Sequence, residues 1–196
     1  NPQSTIPIFS YIYLFKAFEI KKYFEKNYIL SMNIKEIQLR ILFVCLGNIC
    51  RSPAAQGIME HLLLTDYKNI NNRVIVDSCG TIDFHAGNQP DRRMREEASK
   101  RGIILDHRAR SINLNDLKIN DLIIAMDDSN YNNIIYMGGD KNKVKRMIDF
   151  VEDKRGYDEI PDPYYGGKED FNLSLDLIED GCRGILNYLI DKYELK

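Results

Sequence analysis

No stretch of this 196-residue chain approaches the ~18 consecutive apolar residues that a membrane-crossing helix requires. The nearest, Ile6-Pro7-Ile8-Phe9-Ser10-Tyr11-Ile12-Tyr13-Leu14-Phe15, has no positive flank before it and no small-residue cleavage site after it, which argues against a signal peptide and against a membrane partner. Bulk charge is missing too. The formal net charge is −2 and no tract is rich in Lys or Arg, so no basic field is available to hold a nucleic acid. An anion site in this chain has to be local, built from backbone N–H groups and one or two positive side chains. Cysteine is sparse: Cys45, Cys50, Cys79 and Cys182 are too few and too scattered for a disulfide framework, and reduced thiols in the cytoplasm are the better reading. Internal repeats and low-complexity tracts are absent as well. The length suits one domain with some chain to spare.

The chain divides near residue 38. Residues 1–38 are rich in Ile, Tyr, Phe and Lys and carry no chemical motif; a helix over 16–30 would place Phe18, Tyr23 and Phe24 as its apolar points. Two explanations stay open for this extension: sequence upstream of a natural start at Met32, with little order of its own, or a segment that packs or binds a partner. From residue 39 to 196 the pattern becomes strand-helix alternation. Ile41-Leu42-Phe43-Val44 is a short, wholly apolar run suited to a buried parallel strand. Val74-Ile75-Val76, ended by Asp77-Ser78-Cys79-Gly80, is a second; Leu122-Ile123-Ile124-Ala125-Met126 a third; Lys145 to Ile148 a shorter fourth. Pro53 suits a first helical turn, with Ala54, Ile58 and Leu62 following at helical spacing. Residues 91–101 suit a charged surface helix, and Asp127 to Asn130 opens another. Leu175, Ile178, Cys182, Ile185 and Leu189 give a last helix, from about Phe171 to Tyr188, one apolar face. Such alternation predicts an α/β fold, an open parallel sheet with helices on both faces. Ligands in such folds bind beyond the carboxyl ends of the strands, where the strand order switches, which is where the loop after Val44 falls.

That loop is Cys45-Leu46-Gly47-Asn48-Ile49-Cys50-Arg51-Ser52. Its Cys-x5-Arg spacing alone is weak: with 4 Cys and 12 Arg in 196 residues, chance supplies about a quarter of one match. Context strengthens it. An apolar strand precedes the loop, Gly47 and Asn48 tolerate unusual backbone angles, and Ser52-Pro53 starts a helix. The arrangement turns backbone N–H groups inward at a helix N-terminus and makes a phosphate cradle. Arg51 adds a planar fork for two phosphate oxygens. The same positive surroundings favour the Cys45 thiolate, the nucleophilic form, and Ser52 can donate to it. The bland alternative is a strand-to-helix turn whose cysteine is merely buried. Thiolate attack on a phosphate ester needs an acid on another loop for the departing oxygen. Asp162 in Pro161-Asp162-Pro163-Tyr164-Tyr165-Gly166-Gly167 is the best candidate, although Asp-Pro on its own is usually a turn initiator.

The run Val44 to Pro53 closely resembles the signature of the low-molecular-weight protein tyrosine phosphatases. Asp77-Ser78-Cys79-Gly80-Thr81, Gly87-Asn88-Gln89-Pro90-Asp91, Asp106-His107-Arg108-Ala109-Arg110, Ala125 to Asn130 and Asp162 to Gly166 match the family in the right order, so the resemblance spans about residues 40–194. It implies a flavodoxin-like three-layer sandwich on a four-stranded parallel sheet of order 2-1-3-4. It implies Cys45 as nucleophile, Arg51 as phosphate clamp, and Asp162 as general acid and then base. Asn48, Ser52 and Ser78 would hold the loop by hydrogen bonds, with His107 and Asp127 as a supporting pair behind it. Leu46, Gly47, Asn48, Ile49, Cys50 and Ser52 would line the phosphate site, and Leu46, Ile49, Phe84, Tyr164 and Tyr165 would wall a slot for a flat aromatic leaving group. The implied partners are phosphotyrosine proteins or small aryl phosphates, with no metal or other cofactor, acting as a monomer or weak dimer.

Three rivals stand against this reading. Thioredoxin-coupled arsenate reductases share the loop but need redox cysteines downstream, and residues 80–181 contain none. Protein arginine phosphatases typically carry Thr where this chain has Ile49, so the apolar side chain favours phosphotyrosine. A non-catalytic phosphopeptide-binding module would have lost the nucleophile or the acid, and both are present. A redox role is an addition rather than a rival: Cys50 could capture an oxidised Cys45 as a reversible disulfide, or be a buried filler.

Overall fold

β1, Leu39–Cys45, is one of the two inner strands of a four-stranded, wholly parallel sheet of order β2-β1-β3-β4. Its side chains alternate between two cores, as the twofold period of a strand requires. Ile41, Phe43 and Cys45 join one buried cluster, Leu42 and Val44 the other. β2 (Val74–Gly80) pairs with it on one side, β3 (Leu122–Ala125) on the other, and β4 (Val144–Arg146) lies beyond β3. A computed structural model describes residues 19–23 and 38–195.

The helices form two layers. α1 (Arg51–Thr65) and α5 (Lys168–Tyr193) cover one face; Ile58, Met59 and Leu62 of α1 and Leu175, Ile178, Cys182 and Ile185 of α5 are buried there. α2 (Arg92–Ser99) adds Met94 and Ala98 to the same core. α3 (Leu114–Ile119) and α4 (Asp128–Tyr136) supply Leu117 and Ile134 to the opposite core, under Leu42, Val44, Ile123 and Ala125. The open parallel sheet with helices on both faces is thus as expected, including its strand order. Among the described residues no helix is long and apolar enough to cross a membrane.

Local boundaries differ from the sequence expectation for identifiable reasons. Asp77-Ser78-Cys79-Gly80 has the composition of a turn but continues β2, because each of these residues pairs with one of Leu42 to Cys45. The fourth strand ends at Arg146; residues 147–150 instead form a 3-10 turn that buries Met147 and Ile148. α5 starts three residues early, where the Asp170 carboxylate accepts the Gly167 N–H at 2.7 Å and caps the first turn. α3 was not anticipated. Its signal is a capping box: Asn113 Oδ1 accepts the N–H groups of Asn115 and Asp116, and Asp116 returns a bond to the Asn113 N–H.

The chain divides into two units, Asn1–Ile37 and Gln38–Lys196. In the first, residues 19–23 are helical and exposed; the rest of the helix expected over 16–30, including Phe18 and Phe24, lies outside the described residues.

α5 meets the 147–150 turn through Gly184. A Cβ there would press directly on the Phe150 carbonyl oxygen and lie 3.2 Å from the Phe150 Cβ. Glycine inside a helix normally costs about 1 kcal/mol relative to alanine. Here the backbone approach reverses the sign, because overpacking against main chain costs about 1–3 kcal/mol. Gly184→Ala is expected to lower the Tm by several degrees, at roughly 2–4 °C per kcal/mol. A raised Tm in a thermal melt would show that the turn yields freely.

Candidate active site

The loop leaves β1 at Cys45, whose strand partner is Gly80, and enters α1 at Arg51. β1 is the strand at which the order switches, with β2 on one side and β3 on the other. The crevice at its carboxyl end is therefore open between the two crossovers. Gly80 is needed there: a Cβ would stand 2.6 Å from the Leu46 carbonyl oxygen and 3.1 Å from the Asn48 nitrogen. The chain after β2 then runs along the loop, with Thr81 N–H bonding to the Cys45 carbonyl and Ile82 N–H to the Leu46 carbonyl.

Asn48 sets the shape of the loop. It lies in the left-handed region at φ 56° and is fully buried. Its Nδ2 donates to Ser52 Oγ at 2.9 Å and to Ser78 Oγ at 3.0 Å. Its Oδ1 accepts the Arg110 N–H at 2.9 Å and faces His107 Nε2 at 2.6 Å. An amide whose nitrogen already donates twice presents an acceptor to the imidazole, so His107 carries its proton on Nε2. Ser78 in turn donates to Gln56 Oε1 at 2.8 Å.

Cys45 Sγ lies 3.0 Å from Ser52 Oγ and accepts the Asn48 N–H at 3.3 Å. The Ser52 hydroxyl also reaches the Cys79 carbonyl at 3.2 Å. It has one proton for two acceptors. It can serve the carbonyl while Cys45 is a thiol and swing to the sulfur when Cys45 is a thiolate.

Arg51 is 3% exposed and held by three acceptors. One terminal nitrogen donates to Asp127 Oδ2 at 2.7 Å and to the Ile160 carbonyl at 3.1 Å; the other donates to Asp162 Oδ2 at 2.9 Å. Its Nε is buried with no hydrogen-bond acceptor among the described residues. Burial opposes the Arg51 charge, but the neighbouring Cys45, Asp162 and Asp127 outweigh it and raise its pKa. Asp127 is doubly used, since its other oxygen caps α4 through the Asn130 N–H at 2.6 Å.

All five expected wall residues, Leu46, Ile49, Phe84, Tyr164 and Tyr165, border one cleft of about 250 Å³, with Cys45, Gly47, Cys50, Arg51 and Asp162. Ile82 and His85 also line it and were missed. The His85 ring stands edge-on to Phe84 at 4.9 Å, and Tyr164 stands edge-on to Tyr165 at 4.9 Å. Asn48, Ser52 and Ser78 lie behind the loop and brace it. One expectation is corrected. His107 and Asp127 form no pair: His107 sits on the Asn48 and Ser78 side of the loop, while Asp127 sits on the Arg51 side, drawn there by the guanidinium and the α4 N-terminus. Among the described residues no group of three His, Cys, Asp or Glu side chains could hold a metal ion.

Burial, more than the opposing charges of Asp77 and Arg110, lowers the His107 pKa from 6.5. A folded pKa below the unfolded one contributes stability that is present above the unfolded value. That stability is lost as pH falls from about 6.5 through the folded value. The urea midpoint of the protein is expected to drop more steeply between pH 7.5 and 5.5 than that of His107→Gln, which keeps an N–H donor but does not titrate. Parallel slopes would remove His107 from the pH response.

Residues 40–195 match the family of low molecular weight phosphotyrosine protein phosphatases. YfkJ of Bacillus subtilis, a low molecular weight protein-tyrosine-phosphatase, is 40% identical over 151 residues, covering 76% of this chain and 94% of its own. A protein tyrosine phosphatase from Entamoeba histolytica, solved with Hepes in its active site, superposes with a TM-score of 0.75 at 38% identity, over 79% of this chain and 99% of that one. A Drosophila arginine phosphatase superposes with a TM-score of 0.70 at 29% identity, over 76% and 97%. The match runs from β1 through α5 and includes the Cys45 loop and the Asp162 strap: this chain belongs to the low molecular weight phosphotyrosine protein phosphatases, a family of hydrolases.

Proposed function

We propose that this chain hydrolyses phosphotyrosine in proteins, in two steps, with a phosphocysteine intermediate on Cys45. The observation that carries the reading is the line of groups across one cleft: the Cys45 sulfur at its floor, Arg51 beside it, and Asp162 at the far end of the Arg51 fork. In the first step the thiolate attacks phosphorus, the P–O bond to the phenol breaks, and Asp162 gives its proton to the departing oxygen. In the second, Asp162 takes a proton from water as the water oxygen attacks phosphorus. The S–P bond breaks, and Ser52 donates to the sulfur as the thiolate leaves. Loop N–H groups and the Arg51 fork neutralise the phosphoryl oxygens through both steps.

The Arg51–Asp162 bond bears on this sequence. A phosphate taking the fork, with its unpaired Nε and the terminal nitrogen now on Asp162, frees that carboxyl to hold a proton toward the leaving oxygen. The exposed edges of Phe84 and Tyr165 supply apolar surface that a substrate ring would cover.

A second reading is phosphoarginine, the substrate class named for the Drosophila neighbour. Ile49, buried beside Cys45, puts an apolar side chain with no hydroxyl at the loop position that argues for phosphotyrosine. Phosphotyrosine, phosphoserine and phosphoarginine peptides, with arsenate reduction as a further arm, decide between them. The phosphotyrosine peptide is expected to be cleaved at least about tenfold faster than the others; preference for phosphoarginine would overturn the substrate assignment. Cys45→Ser should abolish turnover with the fold intact. Asp162→Asn should depress kcat/KM about a hundredfold for a poorly acidic phenol and far less for an acidic one. Equal losses would take Asp162 out of the acid role.

Cys50 adds a redox property to this proposal. It is buried, and desolvation followed by the nearby negative charge of Asp91 pushes its thiol pKa far up. Peroxide converts Cys45 to a sulfenic acid; the Cys50 thiol displaces water from it to give a disulfide. A protonated, buried partner makes this capture slow. Peptide mapping after mild peroxide should find the Cys45–Cys50 bond, and sulfonic acid alone would refute it.

A further inference from the structure

Arg93 has no part in the chemistry above, yet its guanidinium joins the acid strap to the Cys45 loop. It is the second residue of α2, whose cap is Asp91. The Asp91 N–H donates to the Ile49 carbonyl of the loop at 2.7 Å. The Asp91 carboxylate accepts the Arg93 side chain in bidentate fashion, at 3.0 Å from Nε and 2.9 Å from a terminal nitrogen. That terminal nitrogen also donates to the Tyr164 carbonyl at 2.9 Å. The guanidinium carbon lies 4.7 Å from the centre of the Phe171 ring and 5.6 Å from that of Tyr164.

The strap needs such an anchor. It begins after Ile160, whose N–H bonds to the carbonyl of Met126, the residue that follows β3. Pro161 and Pro163 then offer no N–H. The Tyr164 N–H is spent on Asp162 Oδ1 at 3.2 Å, and the Gly166 N–H turns back to Pro163. Among the described residues two hydrogen bonds therefore tie the middle of the strap to the rest of the domain: Arg51 to Asp162, and Arg93 to the Tyr164 carbonyl. A phosphate that claims the Arg51 fork removes the first. The second remains, one peptide from the N–H that orients the Asp162 carboxyl.

We propose that Arg93 is the positioning residue for the general acid, holding Asp162 toward the leaving oxygen once substrate has taken Arg51. The proposal rests on the acid role assigned to Asp162. Helix capping does not account for the guanidinium, because Asp91 already caps α2 through the Arg93 backbone N–H at 2.8 Å. A lysine cannot replace it. One terminal nitrogen reaches both Asp91 and the Tyr164 carbonyl, and the second bond, from Nε to Asp91, fixes its direction; an ammonium is a point charge and lacks that second bond.

The test is kcat/KM on aryl phosphates whose phenols range from acidic to weakly acidic, for the wild type, Arg93→Lys, Asp162→Asn and the double variant. The Arg93 side chain is 40% exposed, so the lysine is accommodated without rebuilding the core. Arg93→Lys is expected to lose about tenfold on the least acidic phenol and no more than about twofold on the most acidic. In the Asp162→Asn background the same substitution should change neither by more than about twofold, because the acid it positions is gone. An equal loss across the series in Arg93→Lys, or a loss that multiplies onto Asp162→Asn, would make Arg93 a support of the fold and overturn the proposal. An Asp162→Asn series that falls equally on all phenols is a separate result; it would overturn the acid role itself, and this inference with it.

Discussion

The buried Asn48 amide is the interaction on which the site depends. Its nitrogen donates twice and its oxygen accepts twice, so a side chain with no exposure leaves no polar atom unpaired. The four partners come from the α1 N-terminus, from β2, and from the segment between α2 and α3. The amide thus ties together the elements that surround the Cys45 loop. The left-handed backbone at Asn48 costs little for this residue type and turns its N–H onto the Cys45 sulfur. Removing the amide would leave two buried hydroxyls, an N–H and an imidazole without their partner at once, which is why one side chain can fix the loop.

Electrostatics in this chain are local by necessity. With a net charge of −2 the protein has no long-range attraction for an anion. In the proposed reaction one guanidinium, buried against two carboxylates at 2.7 and 2.9 Å, takes that part instead. The two partners are not equivalent. Asp127 is 14% exposed and committed to the α4 cap, so its hold on Arg51 is fixed; Asp162 is 43% exposed on a strap, so its hold can be exchanged. Fixed and exchangeable partners on one fork let an arginine be both positioned in advance and free to bind.

Much of this was legible in the chain itself. Apolar runs such as Ile41 to Val44 and Leu122 to Ala125 read as buried parallel strands because a sheet covered on both faces needs no alternation. Cys45 and Arg51 read as a pair because a loop between strand and helix has few other uses for that spacing. The end of β2 did not read correctly, because local composition says turn where only pairing to a partner far away in sequence says strand. The supposed His107–Asp127 pair failed for a related reason. Residues 107 and 127 both belong near the loop, but sequence order cannot tell on which side of it each arrives. Arg93 and His85 were invisible for the same cause, since their meaning lies in contacts with Tyr164, far away in sequence, that no local pattern encodes.

The four thiols show how environment, rather than exposure, sorts chemistry. All four are buried. Cys182 lies inside the helical core with its sulfur toward the Ala55 carbonyl, and Cys79 faces the opposite core; burial drives both pKa values far up, so neither is a nucleophile at neutral pH. Cys50 is raised as well, with Asp91 adding to desolvation. Cys45 is as hidden as the others at 3% exposure, but its sulfur meets a hydroxyl and a backbone N–H, beside a buried guanidinium. The recessed sulfur borders a cleft shared with Phe84 and Tyr165, which are 81% and 96% exposed. On the proposed mechanism, the recess between a Cys45 nucleophile and the open rim favours a phosphate carried at the end of a flat, extended ring over one on a short aliphatic side chain. Such a substrate would cover the same apolar edges that solvent now meets.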